Sequence, residues 1–81
     1  MKKLRTADGG KNIISDRVKT LRTERGMSQR KLASELQQRG YKMDRNIIYR
    51  IEKNERYVTD VEVKALVEVF GVDYRFFMEG K

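Results

Sequence analysis

Arg45, Asn46, Tyr49 and Arg50 stand at positions i, i+1, i+4 and i+5, a spacing that gathers all four on one side of a helix. Their chemistry is that of flat hydrogen-bonding edges. A guanidinium fork matches guanine O6 and N7, a carboxamide matches adenine N6 and N7, and a phenol can meet a thymine methyl or a phosphate. A helix of about ten residues fits the major groove of duplex DNA and reads base edges from the side near its amino end. The competing account of Asn46 and Arg50 is an idle polar face, but such faces more often mix Glu and Lys. Tyr49 has two readings of equal standing, a DNA contact or an aromatic lid on the edge of the core.

Groups suited to phosphate surround these four. Ser28 and Gln29 fall at the amino end of a preceding helix, where free backbone N–H groups and the helix dipole favour an anion. Arg30, Lys42, Lys53 and Arg56 lie near the ends of the same unit. Phosphate contacts of this kind set register and carry little sequence information. About half of such charges are ordinary solvated side chains.

The elements that must position these residues follow from periodicity and caps. Ile14, Val18 and Leu21 line one face of a helix over about 13–25, with Asn12 as its expected N-cap and Gly26 as its stop. Ser28 caps a second helix running to about Arg39, with Leu32, Ala33 and Leu36 inward. Gly40 closes it, leaving Tyr41, Lys42 and Met43 as the connection. Asp44 caps the third helix, about 44–53, whose inward stripe is Ile47, Ile48 and Ile51. Thr59-Asp60-Val61-Glu62 is a capping box opening a fourth helix with a 63/66/67/70 stripe that ends at Gly71. Asp73 caps a short fifth helix from Tyr74 to Glu79. The expected architecture is all-α, a compact five-helix domain over 13–81. Residues 1–12, with Gly9-Gly10 and the cations Lys2, Lys3, Arg5 and Lys11, read as a mobile basic arm or as a plain disordered terminus.

Composition narrows the functional classes. The 81 residues suffice for one small domain, and the chain holds no cysteine and no histidine. Disulfides and thiolate metal sites are thereby excluded, and the commonest general base and metal ligand are missing. No enzyme, metal or cofactor is expected. Residues 1–57 carry 16 Lys or Arg against 7 Asp or Glu, whereas residues 58–81 carry 3 against 5. A basic region backed by a mildly acidic one suits a polyanion bound on one side. No apolar run approaches the ~20 residues of a membrane span, so a cytoplasmic protein is expected.

At this point the chain resembles a family. Arg17-Val18-Lys19 with Leu21-Arg22, then Met27-Ser28-Gln29 with Leu32-Ala33, then Ile48-Tyr49-Arg50-Ile51-Glu52 are similar to the first three helices of phage-repressor and Cro-type helix-turn-helix domains. Leu66, Phe70-Gly71-Val72 and Asp73–Phe77 look like that family's closing helices, so about three quarters of the chain is covered. The resemblance implies a lambda-repressor-like fold and operator binding on double-stranded DNA, usually as a homodimer. It further implies that Gln29 contacts phosphate and braces the third helix, and that Arg22 and Glu52 form an ion pair tying helix 1 to helix 3. Two departures stand out. The stretch between Leu36 and Asp44 is longer than in compact phage repressors, and Arg45 replaces a glutamine often found there.

The leading expectation is therefore a small transcriptional regulator, a repressor in the first instance. A second class is an antitoxin or anti-repressor that works by binding another protein. Tyr74, Phe76, Phe77 and Met78 could supply a patch for such a partner, or for a second copy in a dimer that forms only on DNA; otherwise they fill the small core.

Overall fold

A computed structural model describes residues 9–79 of the chain. The cations Lys2, Lys3 and Arg5 of the expected arm lie outside the described residues. Five helices follow in order: α1 Ser15–Glu24, α2 Gln29–Gln38, α3 Arg45–Glu52, α4 Asp60–Phe70 and α5 Tyr74–Glu79. They pack into a body of 33 × 25 × 19 Å. Helix α3 lies between α1 and α2, α4 closes on α2, and α5 bridges α1 and α4.

The caps explain where most helices begin. Ser28 Oγ accepts from Lys31 N at 2.9 Å, and Asp44 Oδ1 accepts from Ile47 N at 2.9 Å. Thr59 and Glu62 close a reciprocal capping box. Each bond satisfies an amide that the helix itself leaves without a partner. Gly40, at φ +90°, turns the chain out of α2 so that Tyr41 N reaches back to Leu36 O at 3.1 Å. A side chain there would strain the backbone.

Helix α1 departs from expectation. It starts at Ser15, its N-cap is Ile14, and no side chain caps it. Asn12 is instead nearly buried and turned towards the far end of α3, where its Nδ2 donates to Ile51 O (3.2 Å) and Arg56 O (3.0 Å). Lys11 and Asn12 are thus docked, and the boundary expected after residue 12 falls inside the packed body.

The core holds Ile14, Val18, Leu21, Leu32, Ala33, Leu36, Ile48, Ile51, Leu66 and Phe70, as periodicity predicts, and adds Met43, Ala65 and Phe77. Met43 follows a glycine and precedes a cap, so no helical period marks it. On α4 the buried line runs through Ala65, Leu66 and Phe70, leaving Val63 and Val67 only half-buried. Small Ala65 allows neighbouring elements to approach closely. Ile47 is likewise half-buried, so the fully inward face of α3 is Ile48 and Ile51 alone. Phe77 is completely enclosed, its ring 6.3 Å from Phe70 and 5.7 Å from Phe76. It is a core residue and is not available to a dimer contact. Arg17 donates to Phe77 O and Arg25 to Phe70 O, so α1 binds the carboxyl-terminal carbonyls of α4 and α5. Cations at helix carboxyl ends are favoured by the dipole.

Burial pushes the Glu62 carboxyl up, but the Arg56 guanidinium at 2.7 Å and the Thr59 amide together hold it below the ordinary carboxylate range. A carboxyl that binds its proton more weakly when folded stabilises the native state above its unfolded pKa, and that contribution is lost as pH falls through the folded value. Glu62→Gln keeps the capping geometry but removes the charge. It should lower stability at neutral pH by about 1 kcal/mol and flatten the acid limb of the urea-midpoint curve below about pH 5. Parallel acid limbs for the two proteins would remove Glu62 from the acid response.

Candidate nucleic-acid interface

Helix α3 is two-faced. Ile48 and Ile51 are completely buried, while Arg45, Asn46, Tyr49 and Arg50 on the other side are exposed, Tyr49 to 42%. Among the described residues, the side chains of Arg45, Asn46 and Arg50 have no hydrogen-bonding or ionic partner within the chain. Lys53, at the carboxyl-terminal cap, places its ammonium 5.8 Å from the Tyr49 ring centroid. That contact draws Tyr49 and Lys53 into one amphipathic pair, with the phenol still open to solvent.

The orientation of α3 is set from behind by Glu52. Its carboxylate is only 5% exposed and takes two bonds from Arg22, Nε at 2.7 Å and Nη2 at 3.0 Å. Gln29 Nε2 adds a third, 3.1 Å to Oε1, and Arg22 Nη1 reaches Met27 O at 2.8 Å. One carboxylate therefore joins α1, the start of α2 and the end of α3. The hydrogen bond to Glu52 is the main reason the Arg22 guanidinium holds its proton more tightly than usual. Gln29 is half-buried, with at least one of its amide hydrogens committed to this brace.

The residues expected at phosphate do not all come together. Ser28, Gln29 and Arg30 come together with Arg45 and Arg22 around an open concavity of about 550 Å³ between the starts of α2 and α3. Neither helix carries an acidic residue in its first turn, whereas α4 carries Asp60 and Glu62. The starts of both helices, with Arg30 and Arg45, thus border the same open space. Lys42 is exposed beside a second concavity of about 410 Å³, bordered by Gln37, Gly40, Tyr41 and Asp44. Arg56 goes the other way. Its Nη1 donates to Glu62 Oε1 (2.7 Å) and Tyr57 O (3.1 Å), and the side chain is only 24% exposed. An arginine so placed secures the start of α4 and is not an outward cation.

Two further residues carry structural weight. Asn54 adopts φ +60°, the left-handed conformation that asparagine tolerates better than other non-glycine residues. An asparagine directly after a helical stripe is the signal that marks such a position. Tyr41 was expected only in a connection, yet its hydroxyl donates to Glu68 Oε2 at 2.6 Å, ties that connection to α4 and raises the phenol pKa. Among the described residues no three His, Cys, Asp or Glu side chains cluster to hold a metal ion, and no helix is long and apolar enough to cross a membrane.

Removing the central carboxylate exposes how much the brace matters. Breaking a buried ion pair costs ~3–5 kcal/mol, and the residual solvent contact of Arg22 puts Glu52→Ala near the lower end, about 3 kcal/mol in urea denaturation. A loss under ~1 kcal/mol would mark the pair as effectively solvated.

No curated protein and no solved structure matches the chain. The helix-turn-helix family model matches residues 18–77, from the middle of α1 to the middle of α5. That span contains α2 and α3 entire, the Glu52 brace and every exposed side chain of α3. The chain belongs to the Cro/C1-type helix-turn-helix family of DNA-binding regulators.

Proposed function

We propose that α3 enters the major groove of double-stranded DNA and reads its sequence, and that the protein is a small transcriptional regulator acting as a repressor by occupying its operator. The observation that carries this is the division of α3 into an enclosed isoleucine face and an open face of two arginines, an asparagine and a tyrosine. Arg45, Asn46, Tyr49 and Arg50 are assigned to base edges. Ser28, Gln29, Arg30, Lys42 and Lys53 are assigned to phosphates, with the concavity between the starts of α2 and α3 receiving one phosphate of the backbone. Such a regulator works in the cytoplasm, where its DNA is.

A mode resting mainly on protein contacts, as in an antitoxin or anti-repressor, has less support. Of the four carboxyl-terminal side chains that would form its patch, Phe77 is enclosed, Phe76 and Met78 are half-buried, and Tyr74 alone is largely exposed, at 55%. With one largely exposed aromatic, that patch offers little apolar surface towards the roughly 800 Å² per side that a stable partner needs. It suits a weak contact between two copies aligned by a twofold operator, with Tyr74 at the centre and Phe76 and Met78 at its margins.

Arg50→Ala should cost about 1–3 kcal/mol on the preferred duplex and relax sequence preference. Lys53→Ala should weaken all duplexes alike and reduce the log-affinity against log-salt slope by about one. Competition binding with a duplex selected from a random pool reads both; equal losses for Arg50→Ala on selected and random duplex would remove its base-reading role. Sedimentation should show a monomer alone and two chains on a palindromic duplex, and Tyr74→Ala should favour one chain per duplex. A strictly 1:1 complex for the unaltered protein on that duplex would rule out the twofold arrangement.

A further inference from the structure

The carboxyl end of α3 is held by a segment that precedes α1. Asn54 Oδ1 accepts from Lys11 N at 3.0 Å and from Asn12 N at 2.8 Å. In return, Asn12 Nδ2 donates to Ile51 O and Arg56 O, while Asn12 Oδ1 accepts from Ile14 N at 3.0 Å. The Asn54 carboxamide thus binds the backbone of Lys11 and Asn12, and the Asn12 carboxamide binds the backbone on either side of Asn54, at Ile51 and Arg56. The lysine at position 11 adds its ammonium 5.7 Å from the Tyr57 ring centroid. Gly10 completes the fit, because a Cβ there would lie 1.9 Å from Asn54 Nδ2 and 2.5 Å from its Cγ.

We infer that this clasp, made by the side chains of Asn12 and Asn54, is a positioning device for sequence-specific DNA binding, fixing the carboxyl-terminal turn of α3 independently of the Glu52 brace. The inference rests on α3 being the DNA-reading helix. Glu52 ties the end of α3 to α1 and α2, but Lys53 and the chain beyond it have no part in that network. The clasp fastens Ile51 O, Asn54 and Arg56 O together, so it sets how the last turn meets the connection to α4. Base readout demands that kind of restraint, since side chains such as Arg50 and Tyr49 meet flat edges with narrow angular tolerance. Phosphate attraction tolerates a small tilt, because charge acts over distance. Losing the clasp should therefore reduce discrimination between duplexes more than affinity for DNA in general.

Two substitutions open the clasp from opposite sides. Asn54→Gly keeps the left-handed backbone and removes the acceptor, and Gly10→Ala drives the Asn54 carboxamide out of place. Thr59→Ala, which removes the Oγ1 acceptor at the start of α4 and takes away no hydrogen bond of the clasp, controls for lost stability. With all three proteins folded by circular dichroism and held well below their melting midpoints, binding is compared on a duplex selected by the unaltered protein and on random duplex. Both clasp variants should lose about five- to tenfold on the selected duplex, with random-duplex affinity unchanged. Their Lys11 and Asn12 amides should exchange faster, and Thr59→Ala should keep the unaltered ratio. An unaltered ratio in Asn54→Gly, or an equal fall in Thr59→Ala, overturns the clasp role while leaving α3 as the reading helix. Failure of the unaltered protein to enrich any duplex refutes base reading by α3, and the clasp role with it.

Discussion

Glu52 is the point on which the arrangement turns. A carboxylate this enclosed is stable only if its charge is answered, and the answers come from Arg22 on α1 and Gln29 on α2. Helix α3 is eight residues long and carries three isoleucines, so neither length nor propensity would keep it helical alone. Tertiary restraint must do so. Burial of Ile48 and Ile51 supplies the attraction, but apolar contact has little directional preference and permits rotation about the helix axis. The bidentate Arg22–Glu52 pair does not permit it, because two parallel bonds fix both distance and angle. The isoleucines hold α3 against the body, and Glu52 decides which way its outer face looks.

What could be read in the chain beforehand follows from the range of each interaction. Ser28, Asp44 and the Thr59–Glu62 box act within three residues, and the helices they open begin where those residues fall. Helix α1 lacks such a cap, and there the expected start was two residues early. Asn12 shows why. An asparagine ahead of an apolar stripe has the local look of an N-cap, and only the folded chain brings Ile51 and Arg56 within its reach. Arg56 was misplaced for the same reason, since its partner Glu62 had already been assigned to a cap. The outer face of α3 was legible because amphipathic spacing is itself local. Met43 and Ala65 were not, one lying in a connection and the other being small enough to pass as neutral.

The uneven charge of the chain also has a structural origin. Of the acids beyond residue 57, Glu62 answers Arg56, Glu68 accepts from Tyr41, Asp73 accepts from Arg75 N, and Asp60 accepts from Val61 N. These groups open helices or tie elements together, and none was placed merely to offset the cations elsewhere. On α2, Lys31 pairs with Glu35 at 3.2 Å, whereas Arg30 has no partner among the described residues, like Arg45 and Arg50 on α3. Cations without an acidic partner therefore stand at the starts of α2 and α3 and along the open face of α3.

That placement runs against the stability of the isolated protein. A helix start is favoured by acidic side chains and disfavoured by cations, each by about 0.3–1 kcal/mol near the surface. Helices α1 and α4 obey the rule with Asp16, Asp60 and Glu62 in their first turns. Helix α2 opens on Gln29-Arg30-Lys31 and α3 on Arg45-Asn46, with the Asp44 cap as the sole acidic relief. A chain able to place acids at two helix starts yet placing arginines at two others carries a cost that folding does not recover. An anion seated between α2 and α3 does recover it, since the same dipoles and guanidinium groups that repel one another in the free protein are neutralised together by one phosphate. The sites that local rules would call mistakes are thus the sites at which the proposed function seats a phosphate.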